Sequence, residues 1–108
     1  MEFVNACPPS VAVVIVTRNR GLDAVAAVRS ALMQEGVQLE VLVYDDASDD
    51  GSIEVLKSIS GPAVRLFCSD ERKGYIHWRN QGFSATESEF VFSLDDDAVF
   101  SDPFTLKE

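Results

Sequence analysis

Three consecutive carboxylates, Asp95, Asp96 and Asp97, close a short apolar run, EFVFSL, that reads as a buried strand. Side by side they repel one another, so water, a cation or a set of hydrogen-bond donors must neutralise them. A second acidic pair, Asp45 and Asp46, closes another apolar run in LEVLVYDD. If both runs deliver their acids to one place, a divalent cation is the simplest neutraliser. Mg²⁺ and Mn²⁺ take oxygen ligands, and commonly share a site between one or two carboxylates and the phosphates of a substrate. An acidic turn after a strand is also a common solvated feature, so neither cluster decides alone.

The sequence lacks the usual phosphate cradles. There is no G-x-x-x-x-G-K-[ST], and no G-x-G-x-x-G follows the first apolar run, which ends in TRNR. Phosphates would then be held by a cation and by basic side chains. Arg18, Arg72, Lys73 and Arg79 are the candidates.

The elements that must position these groups are legible from hydrophobic period. VAVVIVT (11–17) is an almost continuous β-branched run, suited to a central strand covered on both faces. Leu22, Val25, Val28 and Leu32 then fall at helical spacing, with Gly36 as a stop. LEVLVYDD (39–46) is a second strand. ASDDGS turns into a helix with Ile53, Leu56 and Ile59 on one face, ended by Gly61-Pro62. AVRLFCS is a third strand, a loop and a helix with Ile76 and Phe83 inward follow, and EFVFSL is the fourth strand. Strands alternating with helices predict an α/β, Rossmann-like parallel sheet with helices on both faces. Right-handed crossovers bring all four strand ends to one edge, where ligands of open α/β sheets bind. Thr17 and Arg18, Asp45 and Asp46, Ser69 and Asp70, and the 95–97 triplet should gather there.

The bulk numbers narrow the classes. The chain has 108 residues, 46% hydrophobic and 25% charged, which suits one small globular domain over 11–108 behind a loose lead-in at 1–10. A net charge of −9 argues against binding nucleic acid. No run is long enough to span a bilayer, and MEFVNACPPS lacks the regions of a signal peptide. The expected location is the cytoplasm, with any membrane anchor outside this chain. Cys7 and Cys68 read as separate reduced thiols. His77 is the only histidine, which argues against a His-rich metal site or a His-based triad.

The series VVIVTRNR, VLVYDDASDDGS and RKGYIHWRNQGFSATESEFVFSLDDD resembles the nucleotide-sugar-binding half of a family 2 glycosyltransferase of the GT-A fold. The likeness runs over about residues 11 to 104, with four pieces in the right order. It implies that Asp46 hydrogen-bonds the base of a nucleoside diphosphate, often uracil, with Thr17 and Arg18 beside the base and Arg79 near the nucleotide. Asp95 and Asp97 match a D-x-D pair, with Asp97 as direct metal ligand and Asp95 at the sugar, ribose or metal. Asp96 between them counts with the nucleotide-sugar-binding residues. The implied cofactor is Mg²⁺ or Mn²⁺, and the implied partner is a nucleoside diphosphate sugar, with a UDP-sugar favoured. The acceptor, a saccharide or a lipid, is left open. The implied reaction is sugar transfer to a hydroxyl, with inversion.

The sequence departs from the family pattern in several places. Arg18 stands where an aromatic residue is common, Trp78 replaces a small residue before Arg79, and DDDA lacks the acid that often follows D-x-D. Family catalytic domains run to about twice this length. The chain therefore reads as a donor-binding half, truncated and inactive alone, with its general base elsewhere and with exposed apolar surface that favours self-association. Blander roles are expected for Trp78 and Tyr75 (packing), His77 (surface), Asp49 and Asp50 (helix start), and Arg72 and Lys73 (solvated loop). Two rival readings stay open. One is a non-catalytic nucleotide- or metal-binding module. The other is a receiver-type signalling domain, with Asp70 at the third strand end and Lys107 poorly placed to serve it.

Overall fold

The computed structural model describes residues 9–102. Most of the lead-in, Cys7, Lys107 and Glu108 lie outside the described residues. The chain alternates β1 (Ser10–Thr17), α1 (Gly21–Leu32), β2 (Gln38–Asp46), α2 (Ser52–Lys57), β3 (Val64–Ser69), α3 (Tyr75–Ala85) and β4 (Phe90–Ser93). The four strands form one parallel sheet in the order β3-β2-β1-β4. The α/β, Rossmann-like expectation holds, with β1 beginning at Ser10.

That order also disposes of the receiver-type reading. A receiver-like sheet sets its third strand beside the first. Here β4 takes that place, and β3, which leads to the exposed Asp70, lies at the far edge beside β2. The chain runs outward from β1 through β2 to β3, then returns to the other side of β1. The strand order therefore reverses at the β1/β4 boundary, where open α/β sheets form their ligand crevice.

Each face has its own core. Val11, Val13, Ile15, Val41, Val43 and Val64 face α1 and α2, where Ala24, Val25, Ala27, Val28, Ala31 and Leu56 meet them. Val14, Val16, Leu42 and Tyr44 face α3, packed with Phe67, Trp78 and Val91. Period two along each strand thus feeds two opposite layers.

Two helices turn differently from the sequence expectation. In α1, Val25 and Val28 are buried as expected, but Leu22 and Leu32 are exposed. The alanines at 24, 27 and 31 are fully covered, and their small side chains set the helix close to the sheet. The helix also stops at Leu32, four residues before Gly36. In α3, Ile76 and Phe83 point outward, at 64% and 42% exposure. The inward face carries Gly82, which is buried against Val14 and Tyr44. A β-carbon there would sit 2.6 Å from a Val14 methyl group, so only glycine permits this approach. In α2, Leu56 is buried and Ile53 half-buried, while Ile59, expected on the same helix, packs on the core from the turn just past its end.

Candidate functional site

Three elements converge on the crevice at the β1/β4 boundary. Thr17 ends β1, Leu94 continues β4 by donating its N–H to the Val14 carbonyl, and a turn closed by Ala98 N–H on the Asp95 carbonyl carries the triplet. Asp95 and Asp97 are exposed and Asp96 is half-buried. Arg20, at the start of α1, reaches across to them. Its Nη1 lies 3.4 Å from Asp97 Oδ2 and 3.8 Å from Asp96 Oδ1. Burial pushes the Asp96 carboxyl above the usual carboxylate range, and the Asp97 and Asp23 charges add to this. The Thr17 hydroxyl and Arg20 pull it back only in part.

Asp46, at the end of β2, faces the α3 side of the sheet and is 4% exposed. Its Oδ1 accepts from the Lys73 amide at 2.7 Å and from the Trp78 indole N–H at 2.8 Å. Its Oδ2 accepts from the Gly74 amide at 3.2 Å. Gly74 adopts φ +89, which favours glycine and turns the loop into α3. Burial works to raise the Asp46 pKa. The Lys73, Trp78 and Gly74 hydrogen bonds outweigh it, helped by the Arg72 charge, and hold the carboxyl below the usual range.

The other acids of YDDASDD build scaffold. Asp45, 1% exposed, accepts from the Ser48 amide and hydroxyl at 3.0 and 2.5 Å. Ser48 Oγ in turn accepts the Asn19 amide at 2.8 Å, and Asn19 and Asp49 exchange two further hydrogen bonds. Asp50 accepts the Ser52 amide, and the Ser52 hydroxyl accepts the Gly21 amide that opens α1. These bonds tie the loop after β1 to the loop after β2. Asp50 is a helix-start residue as expected, whereas Asp49 ties the loops together and pairs with Arg18 at 3.6 Å.

Three buried side-chain atoms among the described residues have no hydrogen-bond partner: Thr17 Oγ1, Arg18 Nε and Arg79 Nε. Thr17 draws down the Asp96 pKa without forming a bond of ordinary geometry. Arg79 lies over the Tyr75 and Phe83 rings, at 5.6 and 5.9 Å from their centroids. Tyr75 hydrogen-bonds Ser93 at the end of β4, so this stripe of α3 looks toward the crevice. Unpaired buried polar atoms are uncommon in folded proteins, and their owners here are three residues for which the family resemblance implies a place near the nucleotide.

Residues 12–108 match the family described as glycosyl transferase family 2. The chain belongs to that family. It is 38% identical over 89 residues to the succinoglycan biosynthesis protein ExoO of Rhizobium meliloti, a match that covers 82% of this chain and 26% of ExoO. It is 30% identical over 92 residues to the GalNAc(5)-diNAcBac-PP-undecaprenol beta-1,3-glucosyltransferase of Campylobacter jejuni, covering 82% and 30%. The fold superposes on the mannosyltransferase PcManGT from Pyrobaculum calidifontis, solved with GDP-Man and Mn²⁺, with a TM-score of 0.82 and 27% identity. That match covers 94% of this chain and 31% of PcManGT. The fold also matches S. aureus TarS 1-349 solved with UDP-GlcNAc, with a TM-score of 0.78, 23% identity, and coverage of 91% and 29%. The chain thus spans about a quarter to a third of the length of these relatives.

Within this family 2 domain, Thr17, Arg20 and the 95–97 triplet come together at the β1/β4 crevice, while Asp46 lies one strand over under the start of α3. The carboxylate oxygens of Asp95 and Asp97 suit Mg²⁺ or Mn²⁺, which complete their shells with water and phosphate oxygens. Among the described residues, no three His, Cys, Asp or Glu side chains are grouped to hold a metal ion by themselves. No helix among the described residues is long and apolar enough to cross a membrane.

Sequence reasoning missed three participants. Among the described residues Arg20 reaches the triplet, whereas Arg18, the arginine that the sequence singles out, pairs with Asp49. Trp78 packs as expected, but its indole also grips Asp46. Arg72 and Lys73 have exposed side chains, as expected of a solvated loop, yet the Lys73 backbone amide holds Asp46. Backbone donors leave no mark in residue type. Cys68 is a free, exposed thiol in β3, and His77 is exposed with its ring edge-on to Trp78.

Proposed function

We propose that the protein carrying this chain is a glycosyltransferase that moves a sugar from a nucleoside diphosphate to an acceptor hydroxyl with inversion, and that this chain holds the donor. The observation that carries the reading is the set of unpaired buried atoms on Thr17, Arg18 and Arg79 beside two acidic clusters at the ends of β2 and β4, the strands that flank β1. Asp46 accepts a hydrogen bond from the base. Thr17 and Arg18 lie beside the base, and Arg79 turns its free Nε–H to the nucleotide. Asp95 contacts the ribose or sugar. Asp97, with Asp95, would hold Mg²⁺ or Mn²⁺, which when bound neutralises charge on the departing diphosphate. Asp96 and Arg20 fix the position of the Asp97 carboxylate. No described residue is assigned as general base, because the acids at this edge serve the donor or the scaffold. The Mn²⁺ and GDP-Man of the PcManGT complex support a divalent metal and a nucleotide sugar as the ligand classes.

Calorimetric titration of the chain with UDP, with Mn²⁺ and with EDTA, tests the reading against Asp97→Ala. Metal-dependent binding that Asp97→Ala weakens at least about tenfold is the expected result. Binding that is indifferent to both metal and substitution would remove the triplet from the donor site.

A further inference from the structure

The Asp46–Trp78 contact constrains which base the site can read, an inference that rests on the donor-site reading above. A carboxylate offers about four acceptor positions, two on each oxygen. Asp46 Oδ1 already accepts two hydrogen bonds, from the Lys73 amide and the Trp78 indole. Asp46 Oδ2 accepts one, from the Gly74 amide. A single acceptor position remains, on Oδ2.

The indole cannot easily swing away to free another. Its ring stacks on Tyr44 with centroids 5.6 Å apart and planes 19° from parallel. Tyr44 stacks in turn on Phe67 at 4.6 Å, and the His77 ring meets the indole edge-on at 4.5 Å. Gly82, one turn further along α3, is pressed against Val14 and Tyr44 and holds the helix at this height.

We infer that Trp78 restricts Asp46 to reading one N–H donor, which fits the site to uracil or thymine and sets it against guanine. Uracil and thymine present one ring N–H flanked by two carbonyls. Guanine presents a ring N–H and an amino group side by side, a pair that suits a carboxylate with both oxygens free. Here the amino group would face an oxygen already filled by the indole and lose its water without gaining a partner. Cytosine and adenine set a ring-nitrogen lone pair beside their amino donor, and that lone pair faces the carboxylate unfavourably. Trp78 is thus a positioning residue that acts through Asp46.

The test compares UDP, GDP and inosine diphosphate by calorimetry with Mn²⁺, on the wild-type chain and on Trp78→Phe. Inosine diphosphate differs from GDP only by lacking the 2-amino group, so it isolates the feature in question without altering the protein. Wild type should bind UDP most tightly, and inosine diphosphate about tenfold more tightly than GDP. Trp78→Phe keeps an aromatic ring on Tyr44, removes the N–H, and should narrow the inosine-to-guanosine ratio to within about twofold. If wild type binds GDP as tightly as inosine diphosphate, or if the ratio survives in a folded Trp78→Phe, the inference falls while the nucleotide site stands. If that variant does not fold, the wild-type ratio decides alone. A chain shown to be folded by circular dichroism that binds none of the three nucleotides overturns the donor-site reading and this inference with it.

Discussion

At the scale of single residues, the site is held by backbone conformations and buried charge. Ala47, between the acid pair and Ser48, adopts φ 60, a left-handed conformation that penalises a β-carbon. Asp45 and Ser48 lock the turn on either side of it. Ala47→Gly removes a cost of about 1–2 kcal/mol, partly offset by the greater freedom glycine gives the unfolded chain. Urea denaturation should show a net gain of up to about 1 kcal/mol. Asp46 allows a second prediction. Its folded pKa lies below the unfolded one, so the stability it contributes is complete above the unfolded pKa and is lost as pH falls through the folded pKa. Asp46→Asn turns an amide donor toward the Lys73, Gly74 and Trp78 donors, and should cost about 1–3 kcal/mol at neutral pH. The gap between variant and wild type should shrink as denaturation is repeated at increasingly acid pH. A constant gap would show that the carboxylate's charge is not what the three donors hold.

At the scale of elements, the seating of α3 on the sheet decides where Trp78 and Arg79 sit. Gly82→Ala would force its new methyl to within 2.6 Å of one Val14 methyl carbon and 2.9 Å of the other. Overpacking of this kind costs about 1–3 kcal/mol, and relief requires α3 to lift from β1 and β2. Donor binding should weaken in parallel, because the Trp78 and Arg79 side chains travel with the helix. Val14→Ala made in the same chain should recover part of both losses, so a double-mutant cycle should show a favourable coupling between the two sites. Simple additivity would place the strain elsewhere. The same helix shows where sequence reading ran out. Strands β1 and β2 were legible because continuous β-branched runs have no other good home, and the acids at their ends followed from parallel topology. The inward face of α3 was not, because it rests on a glycine and one tryptophan while Ile76 and Phe83 are left outside. Hydrophobic period identifies a face only when the largest side chains are the ones that bury. In α1 the alanines took that role, and Leu22 and Leu32 turned outward. Arg20 was hidden for a different reason: TRNR carries two arginines, and only the turn at Asn19, with φ 56, sends the second toward Asp96 and Asp97.

At the scale of the whole molecule, the sheet has two edges of unequal character. At the β4 edge, on the face shared with α1 and α2, Phe90 is 60% and Phe92 41% exposed, and Phe92 leans on Phe100 with ring centroids 5.5 Å apart. Val99 is also 56% exposed close by in sequence. The β3 edge instead carries Arg65, paired with Glu40 at 2.6 Å, and the charged pair blunts it. An exposed strand edge beside bare phenylalanines is a template for another strand, and its apolar side chains gain roughly 25 cal/mol for each Å² they remove from water. The isolated chain should therefore associate through β4 rather than β3, in keeping with its expected tendency to self-associate. Phe90→Lys adds a charge at the more exposed of the two rings and leaves the Phe92–Phe100 contact in place. Sedimentation velocity over a range of concentrations should show a concentration-dependent oligomer for wild type and a larger monomer fraction for Phe90→Lys. Arg65→Ser at the opposite edge serves as the control. If association follows Arg65→Ser instead, the β3 edge is the contact, and the phenylalanines of β4 are not what drives it.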